Sequence, residues 1–259
     1  MTQHRTPNGT DTLERTRYFA RQIVAPPDLA QDREYLLHKL RHHNRLLHGW
    51  GIVSGLEVKA VPPIGVDDAT KKTFKDFADK YEMPTTLDTT LNSWVVITPG
   101  YAITPRGDEI YIPYTIFVNT NEERDNALVT RPSECNPQLG PRTITRKDLD
   151  YYLVVEAVES EARPVRAAGS RCGDNPDQFE FSRLRDGVRF TLVEKRPPEP
   201  FLQNGNPNGV IKLTGNVGVG SDCIVLGMLS YKSGKIEKVS QTKTTASSWI
   251  KSEPVELPA

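Results

Sequence analysis

The sequence predicts an α+β protein, mainly antiparallel β, in which a long N-terminal amphipathic helix packs on a β-sandwich-like or barrel-like core. Three observations point there. Leu29, Leu36, Leu40 and Leu47 fall within about 40° of one another on a helical wheel of 100° per residue. Apolar or alternating runs recur after residue 50, at 50–58, 94–97, 151–158 and 223–231, each bounded by turn-forming residues. The chain also carries 20 prolines and 18 glycines in 259 residues, a proline-heavy balance that calls for many turns.

Taken in order, residues 1–14 are polar and contain Pro7, Asn8 and Gly9, which reads as a flexible N-terminal arm. A single β-rich domain is expected over 15–239. Pro26, Pro27 and Asp28 stop one element and start another, with Asp28 as the cap and Gln31 as its capping-box partner. The helix then runs over about 28–48 and ends at Gly49, suited to a left-handed cap. Leu29, Leu36, Leu40, His43 and Leu47 form the stripe expected to enter the core. Tyr35 and Leu46 lie away from it and offer a second face, toward the strands or another subunit.

Residues 50–58 alternate as one half-buried strand. An insertion is expected over 59–93, holding a short helix marked by Phe74, Phe77, Ala78 and Tyr81. Strand 94–97 runs into Pro99 and Gly100, a type II turn signal, and 101–104 and 109–112 flank Pro105 to Asp108 as a hairpin. Residues 119–148 are polar and hold three prolines, which reads as a long loop. Strands follow at 151–158, 190–193 and 210–213. The pair 223–231 and 235–239 closes as a hairpin about Ser233 and Gly234, and 240–259 is a C-terminal arm, polar except for Trp249 and Ile250.

Composition narrows the function classes. Lys plus Arg and Asp plus Glu both number 33, so there is no global basic field for nucleic acid or an anionic membrane. Mean hydropathy is −0.51, no window approaches the ~18 apolar residues of a membrane span, and the start lacks the apolar stretch of a secretory signal. Synthesis and assembly in the cytoplasm are expected. The cysteines Cys135, Cys172 and Cys223 are far apart, without metal-ligand spacing. Reduced thiols are the default, with a Cys135–Cys172 pair left open.

Motifs for chemistry are sparse. His38 and His42 are four apart on one helical face, the spacing of helical zinc ligands, but Lys39 stands where HExxH needs Glu and no third ligand is near. Solvated surface histidines beside Lys39, Arg41 and Arg45 are the simpler reading. His43 on the apolar face reads as a core histidine tied to a carbonyl or carboxylate, since it has no evident nucleophile to serve. Nucleophile-elbow, Walker and dinucleotide fingerprints are absent, and Gly215 to Gly220 reads as a glycine-rich hairpin tip. No catalytic residue, metal site or cofactor is assigned.

Three blocks carry a resemblance. RYFARQIV (17–24) followed by RHHNRLLHGWGIVSGLEV (41–58), then VITPGYAITPRGDEI (96–110), then ARPV (162–165), CG (172–173) and EFSRLRDG (180–187) together resemble a family encoded with phage-tail-like, extracellular-type contractile injection systems. The second block is also similar to repeats of tail-fibre and baseplate proteins. The resemblance implies a structural, non-enzymatic role at or around the baseplate, in a particle that is released or held at a membrane. Its expected partners are other particle subunits (baseplate, tube or sheath proteins) and copies of itself. Contacts are expected through Tyr35, Arg45, Leu46 and the tail residues Trp249 and Ile250, which either anchor a neighbour or fold back on their own domain. A receptor- or glycan-binding fibre-like module is the alternative, and a cell-envelope hydrolase a third reading.

Overall fold

A computed structural model describes residues 13–63, 67–84, 93–124, 127–131, 142–166, 179–197 and 223–241. The chain is α+β, with antiparallel sheets following an N-terminal helix. Helix α1 (Pro26–His43) continues into a π-helical turn, Asn44–His48. A first sheet is built from β1 (Gly51–Gly55), β4 (Gly100–Ile103) and β5 (Glu109–Ile112), in the order β1-β4-β5. A second contains β2 (Val58–Ala60), β3 (Trp94–Ile97), β6 (Ile116–Arg124) and β7 (Ala127–Arg131) in that order, with β8 (Arg142–Thr143) paired to β6. The third is ordered β10-β9-β11-β12, from β9 (Asp150–Arg166), β10 (Phe179–Val193), β11 (Cys223–Lys232) and β12 (Lys235–Gln241). Helix α2 (Asp68–Tyr81) lies between β2 and β3 in the chain.

The first two sheets share one bent ribbon. Gly55 pairs with Gly100 and Val58 with Ile97, the same offset on either side of the bend. The expected single strand over 50–58 is therefore two, broken at Leu56, which is fully buried at φ +55. Pro99 and Gly100 form the matching corner rather than a type II turn. A Cβ on Gly100 would run into the Ser54 carbonyl, and one on Gly55 into that of Pro99, so two glycines are needed where the strands cross.

The core lies between the third sheet and the other two. Val95, Ile97, Ile110, Val118, Leu153, Val155, Ile224, Leu226 and Leu229 are among its buried side chains. Burying each aliphatic side chain of this size contributes roughly 1.5–3 kcal/mol. At its edges the third sheet lies alongside the second, β12 near β2 and β10 near β7, which gives a barrel-like closure.

β3 is buried on both faces, which explains its unbroken apolar run. Val95 and Ile97 enter the main core. Trp94 and Val96 point the other way, into a second cluster with Val61, Phe117 and Tyr81, against which Phe74, Phe77 and Met83 pack. The helix expected from the aromatic spacing thus forms and covers that face. Its start is capped by Asp67, whose carboxylate accepts from the Thr70 amide at 3.2 Å and the Thr70 hydroxyl at 2.6 Å.

The expected loop at 119–148 is in part strand. Its polarity misleads because Thr120 and Arg146 are buried with their partners close by: the Thr120 hydroxyl donates to the Ser93 carbonyl at 2.6 Å, and Arg146 Nε donates to the Thr120 carbonyl at 2.9 Å. Arg146 also pairs with Glu123 at 2.5 Å. The 101–104/109–112 hairpin and the closing hairpin form as expected, the latter turning at Ser233 (φ +51) and Gly234 (φ +72). The strands at 151–158 and 190–193 are the inner end of a much longer ribbon, β9 with β10, which keeps its register out to Arg166 and Phe179.

Candidate assembly surface

Helix α1 starts earlier than expected, with Pro26 in its first position and Ala25 as the cap. Asp28 sits one turn in, where its carboxylate accepts from the Ala25 amide at 2.8 Å. Gln31 is not a capping-box partner; its amide donates to the Glu14 carbonyl at 3.0 Å. The segment preceding the helix folds back along it. Thr16 donates its amide to Asp32 at 3.1 Å and its hydroxyl to the Asp28 carbonyl at 2.9 Å. Tyr18 has its phenol held above the ordinary value, first by its own hydrogen bond to Asp32.

The far end of α1 docks on the tip of the β4–β5 hairpin through polar groups. Arg41 Nε meets Asp108 Oδ1 at 2.6 Å. Asn44 is buried, and its amide nitrogen donates to the Gly107 carbonyl at 3.0 Å and to Glu109 Oε1 at 3.2 Å. Gly107 has φ +99 and lies so close that a Cβ would run into the Arg41 carbonyl. Tyr101, from the adjacent strand, has its phenol pushed up to about 12, by partial burial and then by its hydrogen bond to Glu109.

This geometry overturns the expected packing of the stripe. Leu29, Leu36, Leu40 and Leu47 are 58%, 66%, 48% and 63% exposed, and His43 is exposed too. None of them is core. The contacts of α1 with the rest of the chain lie on the two sides of the stripe: Asp28 and Asp32 on one side hold the returning segment, and Arg41 and Asn44 on the other hold the hairpin through an ion pair and two side-chain hydrogen bonds. That segment adds further open apolar groups, with Phe19 67% and Ile23 90% exposed. Amphipathic periodicity identified a face that wants burial, but this chain does not bury it.

Of the residues expected at interfaces, Leu46 is exposed, Tyr35 is half-buried with Lys39 Nζ 5.8 Å from its ring centre, and Arg45 is half-buried. Trp249, Ile250, Cys135, Cys172, the 210–213 strand, the 215–220 glycines and nearly all of both arms lie outside the described residues. Cys223 is buried in β11.

The histidines pair differently from the spacing argument. His38 and His42 meet edge to face at 6.3 Å, while the π turn brings the Nε2 atoms of His43 and His48 to 3.3 Å. Partial desolvation, with Arg45 and His38 adding, holds His42 below its ordinary pKa. Among the described residues no group of three or more His, Cys, Asp or Glu gathers as a metal site, and no helix is long and apolar enough to cross a membrane.

Sequence reasoning missed the second wall of this surface. A groove of about 450 Å³ separates α1 from the β9–β10 ribbon, with Leu37, Leu40 and Arg41 on one side and Val158, Glu159 and Asp186 on the other. Opposed residues in the ribbon share a face. One face carries Asp186 opposite Glu159 and Leu184 opposite Glu161; the other carries Arg185 opposite Ser160, Arg183 opposite Ala162 and Phe181 opposite Pro164. The available signal was the alternation of Phe181, Arg183 and Arg185 with Glu180, Leu184 and Asp186.

No family model matches the chain, and no curated protein does. A crystal structure of TssK is similar to it with a TM-score of 0.38 and 9% identity, over 88% of this chain and 41% of that one. The chain thus spans about two fifths of the length of that structure.

Proposed function

We propose that this chain is a non-enzymatic structural subunit of a phage-tail-like contractile injection system, placed at or around the baseplate and joined to its neighbours through α1. The observation that carries the assembly role is the open leucine stripe. A helix held at one end by polar contacts, with four leucines in solvent, is a poor arrangement for a chain that acts alone and a serviceable one for a subunit. The three sequence blocks support the kind of particle. Two of them, 41–58 and 96–110, form the docked helix end, the bent ribbon and the hairpin tip, so the resemblance falls on the part that orients α1. Purified particles analysed by mass spectrometry should contain the chain in fixed proportion to the baseplate proteins. Its absence from intact particles would refute the proposal.

A second reading has its own observation. Tyr111 and Tyr114 are 66% and 61% exposed, and Tyr101 lies beside Tyr111 at 6.5 Å. Exposed aromatics on a β hairpin suit a receptor- or glycan-binding module. Binding to a glycan array that is lost in Tyr111→Ala would favour it, and shielding of Tyr111 within the particle would count against it.

A further inference from the structure

We propose that the leucine face of α1 pairs with the same face of a second copy of this chain, the two helices antiparallel about a two-fold axis at the height of residue 38, with each copy's ribbon flanking the other's helix. This rests on reading α1 as an assembly surface and goes further by naming the occupant.

The spacing of the leucines favours self-pairing. Leu29, Leu36, Leu40 and Leu47 are separated by steps of seven, four and seven residues, a sequence that reads the same from either end. An isologous contact requires that self-complementarity, because each residue meets its symmetry mate. In an antiparallel pair centred on His38, Leu29 of one copy lies opposite Leu47 of the other, and Leu36 opposite Leu40. The π turn winds more slowly than an α-helix and shifts Leu47 round the axis, yet all four leucines remain exposed.

Charge points the same way. Leu40 borders the groove, lined also by Arg41 and Arg106, whose far wall carries Glu159 and Asp186, directly opposite each other on the ribbon. Like charges in that position repel. The groove-side flank of α1, the side of Leu37 and Arg41, also carries Arg33, about 40° from Leu29 on the wheel. The two-fold axis sets this flank of one copy against the same flank of the other, bringing Arg33 of the second copy toward the first copy's carboxylate wall. Stripes roughly 25 Å long, with the groove walls, make an interface on the order of 1,000 Å², at the low end for specific association and fit for a micromolar dimer.

Sedimentation of the full chain from about 1 to about 100 μM tests this across the expected range. A reversible monomer–dimer equilibrium is expected. Leu40→Lys should weaken it ~100-fold or more, equivalent to loss of an anchor contact, and Leu36→Lys should do the same. Both positions are exposed in the monomer, so an unchanged circular dichroism spectrum should accompany the loss. Arg33→Asp and Asp186→Arg should each weaken the dimer about tenfold, and the two together should restore it, as expected for charges that meet across the interface. A chain that stays monomeric throughout, a dimer indifferent to Leu40→Lys, or a double reversal no better than either single change would overturn the proposal. The two readings fail separately: a monomer that still enters particles removes the self-pairing alone, and a dimer missing from particles removes the particle role alone.

Discussion

The two helices carry the same kind of sequence signal and meet opposite fates. In α2, Phe74, Phe77 and Tyr81 recur at helical spacing and pack with Trp94, Val96 and Phe117 into a small core of their own. In α1 and its π-helical turn, four leucines recur as regularly and stay in solvent, while Arg41 and Asn44 on the flank hold the helix to the hairpin. Apolar residues at helical spacing state that a face is to be buried; they do not state by which chain. The presence of a partner is decided elsewhere, here by the outer face of β3 for α2 and by no described segment of this chain for α1.

That contrast is open to attack at several points. The largest effect is expected on the α2 side, where Trp94→Ala should cost about 3–5 kcal/mol of stability in urea unfolding, the usual range for removing a buried aromatic. A loss below about 1 kcal/mol would mean that α2 does not form a true core. Next comes the polar dock of α1. Asn44→Ala takes the donor from the Gly107 carbonyl and one donor from Glu109, which keeps Tyr101, and should cost about 1–3 kcal/mol, with amide exchange rising in α1 more than in α2.

Alkaline titration separates the same dock from the main core. Tyr101 and Tyr231 both have their phenols raised to about 12, in each case by burial first. The folded state holds these protons more tightly than the unfolded chain, whose tyrosines lose them near 10. Their contribution is therefore complete below about pH 10 and is lost as pH rises from there through about 12. Stability should fall across that window, and Tyr101→Phe should reduce the fall; an unchanged profile in that variant would place the effect elsewhere. The smallest effect is predicted for Leu36→Ala, measured at dilutions where the chain is monomeric: a change within about 0.5 kcal/mol, as for other exposed positions. A loss of about 2 kcal/mol or more would show that the chain itself buries this leucine after all.

The same contrast explains how much could be read from sequence. Elements whose side-chain pattern and burial coincide were legible: α2, the hairpin about Pro105 to Asp108, the closing hairpin at Ser233 and Gly234, and the inner half of β9. Elements stabilised by the backbone were not. β6 reads as loop because Asn119 and Thr120 are polar, yet Thr120 is satisfied by the Ser93 carbonyl and Arg146. The outer β9–β10 ribbon has no apolar alternation because neither face enters a core. The corner at Leu56 turns on one positive φ and two glycines in close approach, and no periodicity records that. As for the candidate surface, its leucines and its basic flank were visible, but the assignment of the leucines to the core was wrong, and the acidic wall appeared only when the ribbon brought Asp186 beside Glu159.

The central claim is that the leucine face of α1 is an assembly surface. Hydroxyl-radical footprinting of Leu36 and Leu40, in the dilute chain and again in assembled particles, tests it most directly. Strong labelling in the dilute chain and protection of both leucines in the particle is the predicted result. Equal labelling in the two states, with the chain demonstrably present in the particle, would contradict it.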